Sequence, residues 1–275
     1  MDYSLNTYRL MIKHALASGY RFEPFSIEYS AGARRIYLRH DIDYSLEMAL
    51  ILARVNAELG VAGTFCALLQ SQLYNLLSPW SQKILREIHG LGQYIGLHIA
   101  IPVATQNLEA NLRIDFQFIQ HHLPVLSPVF AWHNPTADVL ERYLQSDQLA
   151  GLLNAYAARF TRDISYFSDS NMRHSVDDFL RLLNAIEHPE LQLLLHPLNW
   201  VAGGSNMGDV FSRSWPYIIR EKEQEMLSNR YYSAVFPSGM PEVVLRSFVD
   251  QWLQSAEKKQ DDGRSIFVGG SFGIP

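Results

Sequence analysis

Two aspartates spaced two residues apart, Asp41 and Asp43, follow the short β-prone run Arg35 to His40, and His98, His133, Asp169 and His196 stand in or just past later β-prone runs. On an extended segment, residues i and i+2 point the same way, so Asp41 and Asp43 share one face while His40 and Ile42 take the other. Two carboxylates in one partly buried site repel, and a cation or a shared proton has to accompany them. A divalent metal held by one carboxylate and by histidine, with the other carboxylate nearby as a base, meets both the electrostatics and the needs of hydrolysis. Cys66 is the only cysteine, which excludes an internal disulfide framework and leaves nitrogen and oxygen ligands to hold any metal.

Each of these residues also has a plain reading on its own. Asp-x-Asp is commonly a turn or helix-cap feature. His98, inside Ile95-Gly96-Leu97-His98-Ile99, reads as a satisfied buried histidine, and His196-Pro197 as a strand terminator. Asp169 in Ser168-Asp169-Ser170 reads as a turn cap, and His133-Asn134-Pro135 as a turn opener. Their coincidence outweighs these readings: five of the predicted strand ends, in chain order, each carry a candidate ligand or acid/base, which independent turn residues rarely arrange. Trp132, Tyr166 and Trp200 flank the candidates; aromatic faces suit sugar rings, and core packing explains them equally well. His121-His122 reads as a helix C-terminal pair, His14, His89 and His188 as surface residues, and His174 as a neighbour of the Asp169 loop.

Strands and helices alternate along the chain. Leu5 to Ser18 predicts an amphipathic helix ahead of the strand Arg35 to His40, and Ser45 is placed to cap a helix bearing Leu46, Ala49, Leu50, Ala53 and Ala57 on one side and ending at Gly60. The strand Ala62 to Leu69 leads into a helix over Pro79 to Leu91, and the strand Tyr94 to Ile101 into one over Gln106 to His122. Val129 to His133 precedes a helix near Ala137 to Gln145, Ile164 to Ser168 precedes Val176 to Ile186, and the apolar strand Leu191 to Leu195 follows. Such alternation predicts an α/β fold of parallel βαβ units, an open doubly wound sheet or a barrel, with the candidate residues at the carboxyl ends of the strands. Beyond residue 200 the pattern is helical, clearest over Asp209 to Leu227 and Glu242 to Lys258, and the Gly-rich end from Gly269 reads as a loose tail.

Composition narrows the partners. The 275 residues are 48% hydrophobic and 19% charged, with a formal net charge of −5 and no Lys/Arg run, so a nucleic-acid footprint is not expected. The N-terminal residues carry no uninterrupted apolar region of the secretory type and no stretch reads as a membrane span, so the expectation is a cytoplasmic protein. No repeat or long linker separates domains, and the expectation is one domain over 1–275 with a motif core over about 35–200 and a helical extension and tail over 201–275.

The motifs Leu38-Arg39-His40-Asp41-Ile42-Asp43, Ala62-Gly63-Thr64-Phe65, Gly92-Gln93-Tyr94-Ile95-Gly96-Leu97-His98, Trp132-His133-Asn134-Pro135, Ser168-Asp169-Ser170 and Leu193-Leu194-Leu195-His196-Pro197 resemble, in order and spacing, those of NodB-type polysaccharide deacetylases of carbohydrate esterase family 4. The similarity is to a divergent branch with an Arg-His-Asp-x-Asp first motif, often found beside bacterial surface-polysaccharide genes. The resemblance implies a distorted (β/α) barrel and a divalent metal, usually zinc, used to hydrolyse an N-acetyl group from a sugar of a glycan or of a lipopolysaccharide or O-antigen precursor. By position it implies Asp41 as the general base, Asp43 and His98 as metal ligands, His196 as the general acid and Asp169 as the aspartate that orients a catalytic residue. His133 and Pro135 fall at the motif that shapes the substrate groove, with Trp132 and Trp200 beside the site. Two positions depart from the family: Pro102 stands where a second metal-binding histidine is usual, and Gln93-Tyr94 where His-Glu is common. His133 is the substitute third ligand. The competing expectations are a catalytically impaired barrel that binds carbohydrate or acts as a scaffold, and a metal-dependent hydrolase of a non-sugar amide.

Overall fold

The apolar runs become strands and the amphipathic segments become helices in the computed structural model, which describes residues 2–26, 34–100, 107–184, 189–241, 243 and 247. The strands are β1 (Arg21–Phe22), β2 (Arg35–Ile42), β3 (Thr64–Leu68), β4 (Tyr94–Ala100), β5 (Leu126–His133), β6 (Gln148–Leu149), β7 (Leu152–Asn154), β8 (Ser165–Ser168) and β9 (Glu190–Leu195). The helices are α1 (Leu5–Ala17), α2 (Leu46–Glu58), α3 (Pro79–Gly90), α4 (Leu108–His122), α5 (Ala137–Tyr143), α6 (Ala158–Thr161), α7 (Val176–Asn184), α8 (Pro197–Ala202), α9 (Met207–Met226) and α10 (Arg230–Val235).

The strands form one sheet in the order β6-β7-β5-β4-β3-β2-β9-β8, with β1 also on β2, and every pairing is parallel except β6 with β7. Every residue of β2, β3 and β9 is buried, as strands covered on both faces require. Along β2 the side chains alternate: Ile36, Leu38 and Ile42 join the large core under the helices, whereas Tyr37 joins Cys66, Val129 and Phe160 in a second cluster. The sheet curls. Strands three places apart lie about 14 Å from each other in a flat sheet, yet side chains from the ends of β2 and β5 meet across β3 and β4, where His133 stands 3.2 Å from Asp43. The expected α/β architecture with parallel units and a barrel-like curl is present.

Some boundaries differ from the sequence reading, and some short elements are absent from it; β2 runs on to Ile42, so that Asp41 lies within it. Strand β5 starts at Leu126, because Pro128 is exposed within the strand and the β4–β5 register shifts between Ile95 and Leu97, a place where a proline costs no ladder bond. Gly96 sits at that shift, and a Cβ there would stand 3.0 Å from the Val129 carbonyl oxygen. The two- and three-residue strands β6 and β7 and the helix α8, which starts at Pro197 directly after His196, are too short to carry a periodic signal. Pro102, His188, most of 242–258 and the Gly-rich end fall outside the described residues.

By compactness the chain divides after Lys222 into Met1–Lys222 and Glu223–Pro275, where the sequence reading treats 201–275 as an extension of one domain. Within the second unit Asn229 caps α10 by accepting from the Tyr231 and Tyr232 amides, and the Tyr232 hydroxyl donates to Glu223 at 3.0 Å. Among the described residues no helix is long and apolar enough to cross a membrane.

A buried polar chain ties the outer layer to β2. The Tyr8 hydroxyl donates to Asn56 Oδ1 at 2.6 Å, Asn56 Nδ2 donates to Gln93 Oε1 and to His40 Nε2 at 3.2 Å each, and His40 Nδ1 donates to the Leu195 carbonyl at 3.1 Å. Gln93 also accepts from the Gly63 amide and donates to the Val61 carbonyl, so it braces the start of β3 and is remote from metal chemistry. Burial pushes the His40 imidazole down to about 3, against the raising effects of its bond to Leu195 and of the Asp41 carboxylate. The unfolded chain takes up this proton near 6.5 and the folded chain resists it, so stability falls with falling pH between these values. The expected share is up to about 1.4 kcal/mol per pH unit. Urea unfolding of wild type and His40→Asn between pH 6 and 4.5 checks this; equal pH slopes for the two would show that His40 does not carry the effect.

Candidate metal and hydrolytic site

The parallel strands end on one side of the sheet, and the polar ends gather there. Asp41 is the penultimate residue of β2, and Asp43 follows that strand. His98 lies in β4 and His133 closes β5, while Asp169 and His196 follow β8 and β9 directly. The end of β2 is pinned by Tyr74, whose hydroxyl donates to the Ile42 carbonyl at 2.5 Å and accepts from the Leu68 amide at 2.6 Å. Ser45 caps α2 by accepting from the Met48 amide, and its hydroxyl donates to the buried carboxylate of Glu221, which also accepts the Leu46 and Glu47 amides at 3.1 and 2.7 Å. Helix α9 thus supplies a carboxylate to the N-terminus of the helix that follows Asp43. Glu221→Ala strands those donors and is expected to cost about 3 kcal/mol, and Glu221→Gln, which still accepts, clearly less; denaturant unfolding of the two variants gives the order.

Three donor atoms converge. His98 Nε2, His133 Nδ1 and Asp43 Oδ1 form a triangle with sides of 3.1, 3.2 and 3.2 Å. Ligands about 2.1 Å from one ion are about 3.0 Å apart on an octahedral edge and about 3.4 Å apart on a tetrahedral one, and the triangle lies between. His98 Nδ1 stands 3.1 Å from the Ala131 carbonyl, which only accepts. That bond places the ring proton on Nδ1 and leaves the Nε2 lone pair facing the triangle. Asp43 Oδ1 is buried and accepts no well-aligned hydrogen bond, although both imidazole nitrogens are 3.2 Å away. A buried carboxylate oxygen, the His98 Nε2 lone pair and His133 Nδ1 are the donor types of a divalent cation site; the Asn134 amide nitrogen stands 3.0 Å from His133 Nε2 and places the His133 ring proton on Nδ1, which a cation would have to displace. Among the described residues Asp43, His98 and His133 form the one cluster of this kind. Burial would raise the Asp43 carboxyl, but the His133 and His98 imidazoles hold it well below the usual carboxylate range.

Asp41 is set apart from this triangle. It is buried on the same side as Asp43, its Oδ2 3.6 Å from His98 Nε2, and Arg39 grips it with Nε to Oδ1 at 2.8 Å and Nη2 to Oδ2 at 2.6 Å. Burial alone would favour the neutral acid, but the Arg39 charge keeps the carboxyl below its ordinary range. Arg39, itself buried, is further held by Gln192 and lies 4.3 Å from the centre of the Tyr156 ring.

On the opposite side stands a histidine–aspartate pair. His196 Nδ1 is 2.5 Å from Asp169 Oδ1, and Asp169 also accepts the His196 amide at 3.0 and 3.1 Å and the Trp200 indole N–H at 2.8 Å. Burial pulls the His196 pKa down, but the Asp169 carboxylate, its hydrogen bond and the charges of Asp43 and Asp41 raise it to about 9. His196 Nε2 faces the triangle, 3.8 Å from Asp43 Oδ2.

All six charged or imidazole residues expected at the site therefore come together, and the expected aromatic residues do not. Trp132 is buried against Phe130 and Tyr143, and Trp200 is buried with its indole turned to Asp169. Pro135 is not among the pocket-lining residues, whereas its neighbours His133 and Asn134 are. His174 is exposed beside Phe167. Sequence reasoning overlooked Arg39, which the strand period places on the face of Asp41, Tyr44, which directly follows Asp43, and Tyr74, Glu221 and Phe211, which only the fold brings near.

No protein-family model and no curated protein matches the chain. Among solved structures it is similar to a CE4 family pseudoenzyme from Bacillus anthracis (13% identity over 71% of this chain and 63% of that one, TM-score 0.39). It is also similar to the Xyl-CE4 domain of a multidomain xylanase from the hindgut metagenome of Trinervitermes trinervoides (15% identity, 70% and 85%, TM-score 0.41). The likeness is to CE4 structures. A third is the catalytic domain of a peptidoglycan N-acetylglucosamine deacetylase from Eubacterium rectale (14% identity, 71% and 89%, TM-score 0.43). The match spans less than two thirds of the length of the pseudoenzyme.

Proposed function

We propose that the chain is a metal-dependent deacylase that hydrolyses an N-acyl group, acetyl above all, from a sugar unit of a glycan. The observation that carries the reading is the meeting of three groups of different duty on one sheet edge: the Asp43–His98–His133 triangle, the Arg39-held Asp41 carboxylate and the His196–Asp169 pair. The motif resemblance of Leu38 to Asp43 and of Leu193 to Pro197 to NodB-type deacetylases points the same way.

Asp43, His98 and His133 would hold a divalent cation, zinc fitting two nitrogens and one oxygen. When bound, such an ion supplies Lewis-acid stabilisation to the amide carbonyl and acidity to water. Asp41, ionised beside Arg39, takes the proton of the attacking water as its oxygen bonds to the acyl carbon. His196, protonated because Asp169 stabilises its charge, delivers a proton from Nε2 to the nitrogen as the C–N bond breaks, which leaves a carboxylate and a free amine. His133 in the ligand set fills the role that Pro102 is unable to take.

The test is chemical. Purified protein loaded with zinc is expected to release acetate and amine in equal amounts from at least one N-acetylated sugar or oligosaccharide, and to stop on chelation and in Asp41→Asn. Protein that binds no zinc under native conditions and releases no acetate from a broad panel would sink the reading.

A further inference from the structure

Residues far away in sequence set the aim of the His196–Asp169 pair. The carboxylate of Asp169 is fully buried, and rotation about its Cβ–Cγ bond is soft, so something must decide which oxygen faces the His196 ring. The His196 amide does not decide it, because it stands 3.1 and 3.0 Å from the two oxygens. The Trp200 indole does: its N–H donates to Oδ2 at 2.8 Å and leaves Oδ1 for His196 Nδ1.

An indole is a rigid ring with one donor, so its aim follows from what the ring packs on. Two tyrosines hold it. Tyr3 lies against the Trp200 ring with centroids 4.6 Å apart, and Tyr8 of α1 meets it edge to face at 5.5 Å. All three side chains are buried. Tyr3 is itself tied on two sides. Its backbone exchanges two hydrogen bonds of 3.1 Å with Gly204, just past α8, and its hydroxyl donates to the His174 carbonyl at 2.6 Å, on the segment between Asp169 and α7. A Cβ at Gly203 would stand 3.0 Å from the Tyr3 carbonyl oxygen, so glycine is what lets the two backbones approach. Tyr3 thus joins the two pieces of chain that carry the pair, α8 after His196 and the loop after Asp169.

On the reading of His196 as the general acid, we propose that Tyr3 and Trp200 are positioning residues for the His196–Asp169 pair: Tyr3 clamps α8 to the Asp169 loop, and Trp200 keeps Asp169 Oδ1 aimed at His196 Nδ1. The residues around α1, outside the motif core, thereby take part in proton delivery, while the Asp43–His98–His133 triangle stands without them.

Proton NMR of the full chain reads the pair directly, since a ring N–H in a short bond to a buried carboxylate resonates far downfield; its loss in Asp169→Asn assigns it. Trp200→Phe, which keeps a ring and loses the donor, and Tyr3→Leu, which loses ring and hydroxyl, are expected to move this resonance upfield and broaden it. Tyr3→Phe keeps the ring on Trp200 and is expected to fall between Tyr3→Leu and wild type, whereas Ile12→Ala, a core truncation further along α1, leaves the resonance in place. In the zinc-loaded protein kcat for acetate release is expected to fall about 10- to 100-fold in Trp200→Phe and Tyr3→Leu, with KM and zinc affinity within about threefold. A wild type without the downfield resonance, a wild-type resonance in both Trp200→Phe and Tyr3→Leu, an equal displacement in Ile12→Ala, or a displaced resonance with unchanged kcat overturns the clamp. Displacement in the two variants when even wild type releases no acetate supports the clamp on the pair and removes the deacylase reading; acetate release with an undisturbed resonance does the reverse.

Discussion

An Asp43→Ala protein is expected to bind zinc on the order of 10²- to 10³-fold more weakly than wild type, since a structural site of four ligands gathers about 10–16 kcal/mol and each ligand carries a share of it. The carboxylate is the only anion in the triangle and offers a buried oxygen that no protein donor satisfies well. Removing it leaves two neutral imidazoles, one of which is already oriented by the Ala131 carbonyl. His133→Ala is expected to weaken binding comparably, because Nδ1 of His133 stands 3.2 Å from Asp43 and 3.1 Å from His98. Asp41→Asn is the contrast. Its carboxylate is engaged by Arg39 through two hydrogen bonds and sits 3.6 Å from His98 Nε2, so zinc affinity is expected to stay within tenfold of wild type while hydrolysis stops. Competition with a chromogenic chelator reads all three variants. Wild-type affinity in His133→Ala would remove that residue from the ligand set and with it the account of how the chain manages with Pro102.

Strand parity explains what was legible. Because side chains alternate along a strand, Asp41 and Asp43 could be assigned to one face and His40 to the other, and the fold agrees: His40 turns to Tyr8, Asn56 and the Leu195 carbonyl in the outer layer. The same rule, carried two residues back, reaches Arg39, whose pairing with Asp41 is thus latent in the spacing. His98, His133, Asp169 and His196 were legible only through their recurrence at strand ends, since no local signal distinguishes a ligand from a satisfied core histidine. Aromatic residues misled because adjacency in sequence is not adjacency on a face. Trp132 precedes His133 and so points to the opposite side of β5, into the core. Trp200 sits on the short α8 and spends its one donor on Asp169. What lay beyond reach was long-range. Glu221 meets Ser45 from 176 residues away, and Phe211 meets Tyr44 through a helix whose packing no periodicity announces.

Asp169→Asn should give the second large effect, this time in rate and not in metal affinity. Asp169 is fully buried, and two oxygens accept from the His196 ring, the His196 amide and the Trp200 indole. An asparagine must turn an N–H₂ group toward donors on one side, so the His196 ring loses either its partner or its orientation. The charge that raises the His196 pKa to about 9 is lost in any case. Its conjugate acid then gives up its proton at lower pH, and less of the protein holds the proton that the departing amine requires. Turnover is expected to slow by about 10²- to 10⁴-fold, the contribution of a positioned general acid, with the alkaline limb of the pH–rate profile moved toward lower pH. Zinc affinity is expected to stay within tenfold, since neither Asp169 nor His196 belongs to the triangle. Loss of stability accompanies the change, about 2 kcal/mol for the unsatisfied donors, so rates are compared well below the unfolding transition. An Asp169→Asn protein with the wild-type alkaline limb would show that His196 does not act as the acid, and the proton for the amine would have to come from another group at the sheet edge.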